Sequence, residues 1–258
     1  NNVFLNNKNK DATVTFEGGT YEALTNNGGS IIQNVGVVNL KYVNFNATGS
    51  WDSGNIVRNS WFSLAGTINI QDGTILDNGG GTESCVDRGT VNMYGGTITS
   101  SSSKKGGVGI NAAEIKVVGG KIQNFDRGIY LEGTTNVSAT IGNVTFENNN
   151  CDIVMDSGKK FTIQDDFQGT ASVKVNSFPC TITTPGTSPE MCKRITYDDG
   201  FHSISYDTTE KCLYVSDHLH SWSYSTSADK IIATCTAKPD CEFNPGKLDL
   251  TLAAADTY

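Results

Sequence analysis

Proline is scarce, at 5 of 258 residues, and there is no CxxC pair, no long apolar run and no surplus of positive charge. Each absence closes off a class of protein. Scarce proline excludes proline-rich linkers and collagen-like chains. Without a run of roughly 18 apolar residues, no segment reads as a transmembrane helix. A net charge of −8 and a pI near 4.8 would repel a phosphate backbone, so nucleic acid is excluded as a partner. The first residues lack the charged-then-apolar pattern of a secretion signal, so for a secreted chain that signal has either been removed or lies outside this sequence. Seven cysteines stand at irregular spacing, five of them in the last third, which suggests disulfides in an oxidising compartment more than a zinc site.

What is abundant is glycine, 28 residues, with much Asn, Thr and Ser. Gly and Asn tolerate left-handed turn backbone, so the composition suits many short strands and suits long helices badly. The strands are legible as a repeat. Two alternating apolar residues, a gap often holding Gly or Asn, and a third apolar residue recur six times: Val14/Phe16/Tyr21, Val38/Leu40/Phe45, Ile68/Ile70/Ile75, Val91/Met93/Ile98, Ile115/Val117/Ile122 and Ala139/Ile141/Phe146. A weaker copy carries Phe161 and Ile163. The second position falls at 16, 40, 70, 93, 117, 141 and 163, in steps of 24, 30, 23, 24, 24 and 22. Another apolar pair lies between anchors, from Ile31/Ile32 to Ile153/Met155, so each coil holds at least two strands.

A coil with an apolar face of this size buries it only by stacking on its neighbours. The period of two excludes helical repeats, the Leu-rich consensus is missing, and a propeller blade needs about 40 residues. The expected fold is all-β: a right-handed parallel β-helix of about seven coils over residues 1–166. A cap at 167–216 and a small β module at 217–258 would follow. Asn34 and Asn59, and separately Asn78, Asn124 and Asn148, recur at positions where stacking would form side-chain ladders. The 30-residue step contains Trp51 and Trp61 and marks a loop leaving the coil, the kind of insertion that often forms a binding face. Cys85 and Cys151 sit three coils apart, about 14 Å, beyond disulfide reach, and are expected to be buried free thiols.

From about 167 the period fails, and Pro179, Pro185 and Pro189 appear. Cys180 and Cys192 are close enough in sequence to staple this loop, with Cys212 able to replace either. Cys235 and Cys241 are expected to pair. A zinc site from these two with His218 and His220 is possible on paper, but its spacing is not diagnostic. The chain stops at Tyr258 without a closing element, which suggests the edge of a further domain.

The coils GTINIQDGTILDN and GTVNMYGGTITSS resemble pectate-lyase-like β-helices of large surface proteins of gut-type Gram-positive bacteria. The tail HSWSYSTSADKIIATCTAKPDC with LDLTLAAADTY is similar to small β modules that precede bacterial Ig-like repeats in such proteins. The resemblance implies a multidomain, monomeric, extracellular chain at the cell surface or wall.

β-Helices of that type include lyases and glycoside hydrolases, which need clustered carboxylates, as calcium ligands or as an acid–base pair. If this chain is an enzyme, the candidates are Asp126, Arg127 and Asp156. Glu132, Asp87, Arg88 and Asp152 lie nearby in the pattern, and the two Asp-Arg pairs occupy related places in their coils. The bland reading of all of them is exposed turn charges. GGVGIN at 106–111 has Asn111 where a calcium-binding nonapeptide needs Asp, and reads as turn glycine. Trp51, Trp61, Asp126 and Tyr130 are the residues expected to contact a ligand. Tyr94 and Trp222 could also stack on sugars, although Trp222 alternates with Tyr224 in a strand-like string and reads better as core, while His202 is isolated. No cofactor and no metal are implied. The leading expectation is a non-catalytic stalk or adhesive platform for a glycan or host protein, and the alternative is a polysaccharide-active enzyme.

Overall fold

The computed structural model describes residues 4–23, 29–47, 54–61, 63–101, 107–133, 137–178, 180–199, 202–216, 221–227, 230–236 and 249–251. These residues form a parallel β-solenoid of three sheets, here A, B and C, visited in that order by each coil. Sheet A has nine strands, sheet B seven and sheet C six. The first six coils therefore hold three strands each, one more than the minimum the sequence required, and the seventh has strands in sheets A and B.

Alternation sends every second side chain inward, and the register keeps those side chains in columns. In sheet B, Phe16, Leu40, Ile70, Met93, Val117, Ile141 and Ile163 stand opposite one another on successive strands. In sheet A the column is Ile32, Val57, Val86, Ile110, Ile129, Ile153 and Val173. In sheet C it is Tyr21, Phe45, Leu76, Ile98, Ile122 and Phe146. One expected member is corrected. Ile75 faces outward and Leu76 inward, because the Ile75 amide bonds Val43 O at 2.9 Å and so sets Leu76 opposite Phe45.

The turn from sheet A to sheet B is held by a buried asparagine ladder. Asn7 Nδ2 donates to Asn34 Oδ1 at 2.9 Å, and Asn34 Nδ2 donates to Asn59 Oδ1 at 3.0 Å. Asn34 also closes its own turn, accepting from the Gly36 amide and donating to Gly36 O. The second expected row forms no such ladder. Asn78 is buried and donates to Gly81 O and Glu83 O, whereas Asn124 and Asn148 adopt left-handed backbone, with φ of 65° and 55°. A further ladder runs on the outer surface of sheet B, from Asn92 to Asn69 and from Asn69 to Asn39.

Sheet A does not end at 166. Its strands Ala171–Val175 and Ile195–Tyr197 continue the parallel stack after sheets B and C have stopped. A three-stranded antiparallel sheet of Cys180–Thr181, Cys212–Val215 and Ile204–Asp207 joins a 3-10 segment, Pro189–Lys193, at that end. Ile182, Met191, Leu213 and Val215 from this region belong to the same buried cluster as the solenoid columns. The final antiparallel sheet, Trp222–Ser227, Lys230–Cys235 and Asp249–Thr251, shares no strand with the others among the described residues.

Cys85 and Cys151 are buried free thiols on sheet A strands three coils apart, as their spacing required. The Cys180–Cys192 staple is not formed, and Cys180, Cys192 and Cys212 are all free. Proximity in sequence misleads here. Cys192 is anchored on the strand at one edge of the capping sheet, its Sγ 3.2 Å from Ile204 O, while Cys180 stands on the opposite edge strand. The expected Cys235–Cys241 pair, and His218 and His220, lie outside the described side chains.

Candidate functional site

The connections from sheet C to sheet A run 24–29, 48–54, 78–83 and 100–107 in the early coils, then shrink to 124–126 and 148–150. Where they are shortest, a polar cleft of about 300 Å³ opens on the outer side of sheet A. Asp126 and Asn150 come from the two short connections, and Arg127, Tyr130, Val154 and Lys174 from successive sheet A strands. Val154 stands opposite both Tyr130 and Lys174. Asn176 and Asp198 complete the far rim, and Cys151 lies at the base.

Each side chain is positioned by a nearby partner. Asp126 Oδ2 lies 3.6 Å from Arg127 Nε, and Asn150 Nδ2 donates to Asp126 Oδ1 at 2.9 Å. The Arg127 guanidinium sits 4.8 Å from the Tyr130 ring centroid, a cation–π contact that holds ring and cation as one surface. Tyr130 OH donates to Asp156 at 3.0 Å. Burial and that carboxylate push the Tyr130 phenol above its ordinary range, so it remains a donor. Asp156 also accepts from the Gly133 amide at 2.6 Å and from Asn176 Nδ2 at 2.7 Å. Burial pushes the Cys151 thiol up to about 11, which leaves it a poor nucleophile at neutral pH.

The cleft thus brings together Asp126, Arg127 and Tyr130, with Asp156 directly behind the tyrosine. Asp156 is occupied by three donors and acts as a brace between coils. Asp152 is similarly committed, accepting from the Ser172 amide and hydroxyl and from Asn149 Nδ2. Trp51 lies outside the described residues. Trp61 is described only as backbone, in the short strand Ser60–Trp61.

The two Asp-Arg pairs are not equivalent. Arg127 aligns with Val108, whereas Asp87 aligns with Asn111 near the other end of the strand. Asp87 pairs with Arg88 at 3.3 Å outside the cleft. His202 is not isolated: its ring stacks on Phe178 at 3.9 Å, and its Nδ1 lies 2.5 Å from Asp199 Oδ2. Sequence reasoning missed Asn150, Lys174, Asn176 and Asp198. The last three lie beyond the loss of period at 167, and only the continued register of sheet A shows where they fall.

The described residues thus form a parallel β-solenoid with a polar cleft on its lateral face. Among the described residues, no group of three or more His, Cys, Asp or Glu could hold a metal ion, and no helix is long and apolar enough to cross a membrane. No protein-family model matches the sequence, and comparisons with curated proteins and with solved structures return no match.

Proposed function

We propose that this chain is the non-catalytic binding platform of an extracellular surface protein, with the sheet A cleft receiving a glycan or a host protein. The observation that supports this most is the division of labour among its carboxylates. Asp156 and Asp152, beside the cleft, are held by fixed donors, Asp126 is paired with Arg127 and Asn150, and besides Asp126 and Asp198 the cleft offers a guanidinium on an aromatic ring, an ammonium and two amides. Such groups recognise hydroxyls, carboxylates and ring faces without moving a proton. The extracellular, wall-associated location is supported by the resemblance of the coils and tail, and Trp51 and Trp61 remain proposed ligand contacts from the long insertion.

A glycan array probed with the purified chain tests the reading. Binding to a defined set of glycans is expected, with at least ten-fold loss in Arg127→Ala and in Tyr130→Ala while the melting midpoint stays within a few degrees. The same preparation incubated with polysaccharides should release no new reducing or unsaturated ends. Release that disappears in Asp126→Asn would instead establish a polysaccharide-active enzyme.

A further inference from the structure

The corner between sheets B and C carries a second surface, remote in register from the cleft. Exposed large apolar side chains are few among the described residues, yet three gather on consecutive coils here: Tyr42 at 57% exposed, Ile75 at 38% and Tyr94 at 48%. Tyr42 holds left-handed backbone, φ 53°, and its amide bonds Asp72 O one coil on at 3.2 Å. Its ring lies across Gly73, where any added Cβ would strike it. Asp72 in turn lays its carboxylate against Gly95, again where a Cβ would collide. Tyr94 follows, its amide bonded to Ile70 O at 2.9 Å. The sequence of groups along the axis is therefore ring, carboxylate, ring, flanked by glycines that keep the surface low.

We propose that this ridge binds an extended, neutral β-linked hexose chain lying parallel to the solenoid axis. Tyr42 and Tyr94 are two rungs apart, roughly 9.6 Å along the axis. In an extended β-linked chain each ring is flipped relative to the last, so like faces recur at every second ring, close to this interval. Both tyrosines can then stack on like faces while Asp72 accepts hydrogen bonds from the hydroxyls between them. Lys41 Nζ and Lys116 Nζ lie 5.4 and 5.7 Å from the two ring centroids. These are exposed contacts between flexible side chains and the rings, which a sugar can displace.

Isothermal titration with cellohexaose and with N-acetylchitohexaose tests the proposal. At least one is expected to bind, with ten-fold or greater loss in Tyr42→Ala, Tyr94→Ala and Asp72→Ala. Tyr42→Phe and Tyr94→Phe should bind within about three-fold of wild type, because stacking needs the ring and not the hydroxyl. Melting curves of every variant separate lost binding from lost fold. The cleft variant Arg127→Ala should bind both hexamers as wild type does, so failure of the cleft reading leaves this one standing. The proposal is overturned if neither hexamer binds, or if Tyr42→Ala and Tyr94→Ala bind as wild type does, whatever the effect of Arg127→Ala.

Discussion

Asp87 shows how one side chain carries a pH signature. Burial dominates its environment and raises its carboxyl above 3.8, while Arg88 and Arg58 pull it down and Glu83 adds a smaller push upward. The sign follows from linkage. Below the ordinary carboxyl range the group is protonated whether or not the chain is folded, and its contribution to the fold is fully present. As pH rises through the shifted value the folded state must hold a poorly solvated charge, and that stability is lost. Asp87→Asn should therefore raise the unfolding midpoint at pH 7 and leave it unchanged near pH 3, as read by urea denaturation at both pH values. At this scale the sequence was only partly legible. Ile75 and Leu76 are adjacent and equally apolar, so composition could not tell which points inward; one amide bond decides it. Tyr42 lies outside every repeat position, and its exposure depends on a left-handed turn that its residue type does not announce.

At the scale of strands and turns, the period of two and the near-constant step sufficed to place the sheet B column, because alternation leaves little freedom once one face must be buried. The third strand of each coil was harder to see, carrying a single inward residue between turns. The corners make a sharper demand. Gly89 has φ of 62°, and an added Cβ would lie 2.6 Å from Asn59 O as well as against Gly66 O. Gly158 has φ of 78° but nothing within 4 Å. Both alanine variants incur the left-handed penalty of about 1 kcal/mol. Gly89→Ala must also push two backbone segments apart, adding about 2 kcal/mol or more. A chemical-denaturation comparison that found equal losses would refute the stacked-corner account.

For the molecule as a whole, the repeat signal fails just where sheet A continues alone, and three of the four missed cleft residues lie in that stretch. Their register comes from hydrogen bonds to the strand before, and no motif records it. Among the described residues the final antiparallel sheet shares no strand with the rest, and we propose it as a separable module. A fragment ending at residue 216 is expected to melt at the same temperature as the full chain and to keep the ligand affinity of the cleft. Aggregation of that fragment, or a midpoint lowered by more than a few degrees, would show that the last sheet is needed by the solenoid.

Because each coil bonds chiefly to the coil before and the coil after, a pull that separates the two chain ends meets the rungs one at a time. Peeling a coil of about 24 residues frees roughly 80 Å of slack, while the remaining stack keeps its geometry. Such a rod would yield under tension in steps, lengthening many-fold before its last rung lets go.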